Sequence, residues 1–317
     1  MDAARRLLLN RLAGCGAAAV IPGVATARPA APAPRLIALS GGAFLVPGII
    51  GEPDPDNAGR VHNALVLRGS TGAVVIDPGA TAAQGRALRA LLRQRLDQHI
   101  AAVVLTHPHP ENVLAASALP GVPLVATETV AGLMRQRCAR CLARLRARIG
   151  PAAAAGTGWR LPTEVVEGAS GMKEVAGRRL RWLSLGHAHS DADSAWLDEE
   201  SGILHAGGLL HADCVPDLVD SSVAGWLAAL ERLQTLDATL SVPAQGMPGA
   251  RAPLEATRAY LLALQAAART DVEAGGDGAT ADRRLALPAF AGLPLYESRH
   301  RLNVQRAWRE AEAAFFG

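Results

Sequence analysis

The chain has 317 residues, half of them apolar, and a formal net charge of +3. That length suits one large domain or two small ones with a sizeable core, and a charge so near zero argues against nucleic acid as a partner. Ala, Arg, Gly and Pro dominate and Lys173 is the only lysine, which reads as codon-usage bias and not as a basic binding surface.

Residues 1–27 read as a targeting segment. Arg5-Arg6 precede Leu7-Leu8-Leu9, a small-residue apolar run extends from Ala13 to Val24, and Ala25-Thr26-Ala27 fits a cleavage site. The twin arginine points to Tat export and a periplasmic location. Leu12-Ala13-Gly14-Cys15 offers lipoprotein anchoring as an alternative, and an ordinary N-terminal helix is a third reading. Residues 28–35, rich in Pro and Ala, form a linker, leaving residues 36–317 as the folded domain. No other apolar run reaches the length of a membrane span.

Strand signals follow at 36–40, 43–46, 61–68 and 73–77, with a Pro/Gly loop at 51–60. Thr81–Gln98 has helical apolar spacing. Ala101–Leu105 is a buried strand, Glu111–Ala118 starts a helix, and Leu124–Ala126 is a short strand. Thr127–Ile149 is helical and 150–162 a loop. Strands return at 163–166, 179–185, 193–198 and 202–206. Ser222–Leu236 is a helix with Ser221 and Ser222 as capping candidates, Thr239–Val242 a strand, Leu254–Ala268 a helix, 272–282 a Gly/Asp-rich loop, and Leu302–Phe315 the last helix. Two sheets covered by outer helices absorb this order.

The cysteines are Cys15, Cys138, Cys141 and Cys214. Cys138-x-x-Cys141 is expected to be a disulfide or a pair of idle thiols, with redox or metal roles as the alternative. Cys214 is left unpaired.

Two segments carry the chemistry. Thr106-His107-Pro108-His109-Pro110-Glu111-Asn112 follows a buried strand. Each histidine precedes a proline, which forces extended backbone, so positions i and i+2 face one side. Gly186-His187-Ala188-His189-Ser190-Asp191-Ala192-Asp193 supplies a third ligand, with His189 favoured and His187 its competitor. Three neutral imidazoles from strand ends hold one Zn²⁺ and leave a fourth position open for water. The bland alternative is a set of exposed loop histidines. Asp77 ends the strand Val74-Val75-Ile76 and either orients a ligand imidazole from behind or initiates a turn.

With these motifs in place, the chain resembles metallo-β-lactamase-fold hydrolases over nearly all of residues 36–317. It is most similar to the branch of quinoprotein relay system zinc metallohydrolases, associated with pyrroloquinoline-quinone dehydrogenase systems. Val74–Gly79 resembles the family's Ile-Asp-x-Gly turn, Thr106–Asn112 its T-H-x-H-x-D-H, and Ala188–Asp193 its third-histidine segment. Leu204–Leu210 stands where the family has Ala-Gly-Asp-Leu, and Val242–Pro248 where it has Pro-Gly-His-Gly. Cys138-x-x-Cys141 and His300–Arg309 ahead of Glu310 are also like the branch. The resemblance implies an α+β fold, an αββα sandwich in a single domain, with the metal at one edge between the sheets.

It also implies two metal sites, of which only the first is retained, in His107, His109 and His189. At the second, Asp is Glu111, His is Asn112, the bridging Asp is Gly208, and the last His is Gln245. Glycine offers no ligand, and neutral amides are poor donors for Zn²⁺. One ion is expected, with Glu111 as general base. Restoring His at 112 and Asp at 208 is expected to raise stoichiometry towards two. By strand parity His205 faces away from the metal, and His211 is expected in solvent, with folding back towards the site as the alternative.

The leading reading is an exported mono-zinc hydrolase acting on an ester, thioester or amide-like bond of an unidentified small-molecule substrate. A non-catalytic accessory protein of a quinoprotein dehydrogenase system is the alternative. A redox protein working through Cys138 and Cys141 is the third.

Overall fold

The computed structural model describes residues 33–317; the targeting segment and most of the linker lie outside the described residues. The first sheet runs β1 (Ile37–Ala38), β2 (Ala43–Val46), β3 (Ala64–Arg68), β4 (Ala73–Ile76), β5 (Ile100–Val104), β6 (Leu124–Thr127) and β7 (Glu164–Val166), in that spatial order. β1 to β4 pair antiparallel, with tight turns between β1 and β2 and between β3 and β4 and a long loop over residues 47–63 between β2 and β3, and β4 to β7 pair parallel. Parallel neighbours need crossovers, which are supplied by α1 (Ala82–Leu96), by α2 (Pro110–Val113) with a 3-10 turn (Leu114–Ala118), and by α3 (Glu128–Ala153).

The second sheet contains β8 (Ser170–Val175), β9 (Arg178–Gly186), β10 (Asp193–Asp198), β11 (Ile203–His205) and β12 (Leu240–Val242), ordered β12-β11-β10-β9-β8. α4 (Val223–Gln234) joins β11 to its parallel neighbour β12. α5 (Ala252–Glu273), the short α6 (Ala281–Arg284) and α7 (Tyr296–Phe316) follow.

The strand sequences account for the layering. On β3 and β4, Leu65, Leu67, Val74 and Ile76 face the second sheet and pack with Trp182, Trp196 and Ile203. Their alternates Ala64, Val66, Ala73 and Val75 face outward, towards Leu88 and Leu92 of α1 and Met134 and Leu142 of α3. Alternation sorts the faces, and burial on both explains why these strands read as unbroken apolar runs. Behind the second sheet, Leu183, Ala195, Leu197 and Leu204 meet Trp226 and Leu230 of α4 and Leu261 and Leu264 of α5. The result is the α+β, αββα sandwich expected from the sequence.

Helix ends follow local chemistry. Thr81 caps α1 by accepting from Gln84 N, while the Gln84 side chain accepts from Ala80 N, a reciprocal cap. Of the two capping candidates for α4, Ser222 accepts from Gly225 N at 3.1 Å. α3 breaks at Gly150 (φ +82) before Pro151 and adds one further turn.

Three expectations need correction. β8 was not expected, because this edge strand is polar and mostly exposed and lacks an apolar alternation. α5 continues to Glu273 and α6 forms, so residues 272–282 are partly helical. α7 begins at Tyr296, six residues earlier than the apolar spacing suggested, because its first turns are anchored by polar contacts, Arg299 to Val215 O and Glu52, and His300 to Tyr260 of α5, which leave no apolar period to read.

α7 also positions a site loop. Asn303 accepts from Leu218 N and donates to Pro216 O. Arg299 donates to Val215 O and pairs with Glu52. Glu310 accepts from Val223 N and Ala224 N at the start of α4. The segment 215–224 is thus held by one face of a helix more than 80 residues away in sequence.

Candidate metal centre

The C-terminal ends of β4 and β5 and the β9–β10 connection meet at one edge of the sandwich. β4 ends in Asp77, β5 runs into Thr106-His107-Pro108-His109, and the connection carries His187 to Asp191. One ligand nitrogen each from His107, His109 and His189 falls within a cluster no more than 4.8 Å across. His107 is fully buried and His189 is 3% exposed. The competitor His187 lies outside the cluster, half in solvent, with Nε2 donating to Asp220 O at 3.1 Å.

The hydrogen bonds fix which nitrogens are bare. Asp77 accepts from Thr106 N at 3.0 Å and from Thr106 Oγ1 at 2.6 Å. A hydroxyl has one proton, so Thr106 Oγ1 must accept from His107 Nδ1, 2.8 Å away. His107 Nε2 then carries its lone pair, and it is buried without a hydrogen-bond partner. His189 Nδ1 is likewise unpartnered: Asp193 Oδ1 stands 3.4 Å away without hydrogen-bond geometry. Bare, buried imidazole nitrogens are costly unless a ligand takes them, and three clustered imidazoles suit Zn²⁺. The residues fit a metal ion.

Electrostatics separate the three. Burial and the neighbouring imidazoles push His107 well below its ordinary value, so it is neutral. Burial also acts downward on His109, but its hydrogen bond to Asp220 and the charge of Glu111 win and raise it to about 9. The same contact lowers Asp220 to about 2. The His109–Asp220 distance is 3.5 Å. A metal ion would replace that proton.

Asp77 acts through intermediaries. Besides Thr106 it accepts from Asn112 Nδ2 at 3.0 Å and from His205 Nε2 at 3.2 Å. Asn112 Oδ1 in turn accepts from His62 Nδ1; flipping the amide would set two acceptors against each other, so the orientation is fixed. Glu111 is half-buried on α2. It stays outside the imidazole cluster and lines the cleft beside His109, Asp220 and Arg144.

Two expectations about histidines are corrected. His205 does not face away from the site: β11 ends there, the chain enters a 3-10 turn, and the buried ring reaches Asp77. His211 is not in solvent; it is 2% exposed, packed against His189 and Trp226, with Nδ1 unpartnered. His62 and Asp220 were not singled out in the sequence. The remaining altered positions are occupied by other contacts: Gln245 donates to Gly51 O at 3.2 Å and accepts from Cys214 Sγ, and Gly208 lies against the His189 ring.

Cys138 and Cys141 are free thiols on α3. Burial raises Cys138 to about 12, and burial with the Glu111 charge raises Cys141. Neither is a thiolate near neutral pH, which weighs against a redox role.

Two facing sheets with outer helices and a cluster of imidazoles at the ends of β5 and β9 define an αββα sandwich with a candidate metal site at its edge. The sequence profile of the Metallo-beta-lactamase superfamily matches residues 57–245, and the chain belongs to that superfamily. Among curated proteins none matches it. Solved structures resemble it in fold. A metallo-beta-lactamase from Pontibacter korlensis is 20% identical with a TM-score of 0.58, covering 72% of this chain and 99% of its own. One from Hirschia baltica is 20% identical with a TM-score of 0.57, covering 72% and 97%. The DIM-1 metallo-beta-lactamase is 16% identical with a TM-score of 0.56, covering 73% and 98%. At these identities the likeness concerns the fold alone.

Proposed function

We propose that the chain is a mono-zinc metallohydrolase acting on an ester, thioester or amide-like bond. The observation that carries this reading is the cluster of three imidazoles no more than 4.8 Å across, in which Nε2 of His107 and Nδ1 of His189 are buried without a partner. Asn112, Gly208 and Gln245 are engaged in contacts that offer nothing to a second ion. Export rests on Arg5-Arg6 and the small-residue run after it, and service to a quinoprotein dehydrogenase system on the motif resemblance.

Zinc bound by His107, His109 and His189 would supply Lewis acidity and acidify water. The chain's own groups do the rest. Asp77, through Thr106, holds the His107 tautomer. Asp220 holds the His109 ring. Glu111, two residues beyond His109 and with no hydrogen bond to its carboxylate among the described residues, accepts the proton of the attacking water.

Elemental mass spectrometry on the purified mature protein is expected to give about one zinc per chain. Two per chain would overturn the single-ion reading. Glu111→Gln is expected to leave that stoichiometry unchanged and to lower kcat on a responsive ester or thioester by on the order of a hundredfold. Full zinc with no turnover on broad panels would favour the accessory-protein reading instead.

A further inference from the structure

A second cavity opens behind Glu111, away from the His109 cleft. Its walls are Val46 and Pro47 at the end of β2, Ala64 of β3, Pro78, and Ala87 and Leu88 of α1. His62 and Glu111 stand at the edge nearest the imidazole cluster, and the His62 ring is 6.3 Å from the His107 ring. Glu111 lines both this cavity and the cleft beside His109. The two spaces therefore share one wall residue, Glu111.

We propose that this cavity receives the apolar acyl chain of the substrate, an inference that rests on the hydrolase reading for the word substrate but not for the binding itself. Its volume is about 200 Å³. At about 30 Å³ for a water-sized group, that admits a chain of roughly six or seven carbons. The walls are dominated by apolar side chains, so a polar ligand would lose its hydration there without return. His62 spends Nδ1–H on Asn112 and keeps Nε2 as an acceptor, so the polar end of the pocket can take an N–H or O–H from the head of a ligand. A chain seated in the cavity would place its carbonyl end at Glu111, next to the face where His109 and Asp220 lie. The pocket thereby selects for chain length, and the carboxylate that takes the proton marks where the chain stops.

Arg60 and Glu111 both line the cavity, so the test uses neutral probes. Straight-chain primary amides of four to ten carbons are titrated calorimetrically into the full chain, zinc-loaded and as the metal-deficient His189→Ala variant. Affinity is expected to rise about fourfold per methylene and to level off near seven carbons, in both proteins. Ala87→Trp, on the partly exposed face of α1, is expected to weaken the longer amides at least tenfold. Ala83→Phe serves as a second filling variant. Ala311→Trp, in the separate groove between α4, α5 and α7, is expected to change nothing. An affinity flat in chain length, or one that both filling variants leave intact while circular dichroism shows them folded, overturns the pocket even if the protein hydrolyses esters. Length-dependent binding in a protein that hydrolyses nothing leaves the pocket standing and removes the hydrolase.

Discussion

Gly208→Asp is expected to cost the centre its metal. The motif resemblance read from the sequence places an aspartate there, and on that reading restoring it rebuilds a second site. The structure opposes it. A Cβ at position 208 would lie 2.2 Å from both Cε1 and Nδ1 of His189. The imidazole has nowhere to retreat: it packs 5.0 Å from the His107 ring, 4.8 Å from His109 and 5.2 Å from Trp226, centroid to centroid. Trp226 is itself held, donating Nε1–H to Leu209 O at 2.9 Å. Any side chain at 208 therefore drives His189 out of the cluster. Structural zinc sites with four ligands bind with about 10–16 kcal/mol, or roughly 3 kcal/mol per ligand, so losing one weakens binding on the order of a hundredfold to a thousandfold. Gly208→Ala, which adds only the clashing carbon, should move affinity in the same direction. Competitive zinc titration and the visible spectrum of the cobalt form would measure this. Two ions bound by Gly208→Asp would show that His189 can yield, and that glycine marks only a lost ligand.

How much of the centre was legible in the sequence depended on whether a residue's position is set locally. The His107-Pro108-His109-Pro110 segment fixes its own geometry, because each proline constrains the residue before it, and it follows a strand whose apolar run is plain. His189 follows a strand in the same way. The layered fold was legible because β3 to β5 are buried on both faces. The residues missed are placed by distant parts of the chain. Asp220 sits in a loop that α7 holds through Arg299 and Asn303. His211 is turned inward by the 3-10 turn at Gly207–Leu209, which breaks the parity argument used for this stretch and for His205. His62 could have been found. β3 runs antiparallel to β4, with Leu65 opposite Ile76, so the residues just before β3 lie beside Asp77 at the end of β4. A reading that paired the strands first would have placed His62 at the site edge.

Asp77→Ala is expected to destabilise the fold by about 3–5 kcal/mol and to weaken metal binding as well. The carboxylate is 1% exposed and accepts from four donors: Thr106 N, Thr106 Oγ1, Asn112 Nδ2 and His205 Nε2. Alanine takes the acceptor away from all four buried donors, and each donor left unpaired costs about 1–3 kcal/mol before relaxation. The backbone adds to this. Asp77 has φ +55, a left-handed conformation that Asp tolerates better than Ala does. The metal effect has a separate cause. Without Asp77 as acceptor, the Thr106 hydroxyl is free to donate to His107 Nδ1, which favours the tautomer with the proton on Nε2 and so blocks the ligand atom. Changes to groups that orient a ligand typically cost 10–100-fold in affinity. Thr106→Val separates the two contributions, since it removes the hydroxyl that links carboxylate to imidazole and leaves Asp77 its other three donors. It should lose most of the metal affinity that Asp77→Ala loses and much less stability. Chemical denaturation of the metal-free proteins and zinc titration of the same samples would decide the matter. Equal affinity in Thr106→Val and the parent would mean that the imidazole is held by packing and not by this relay.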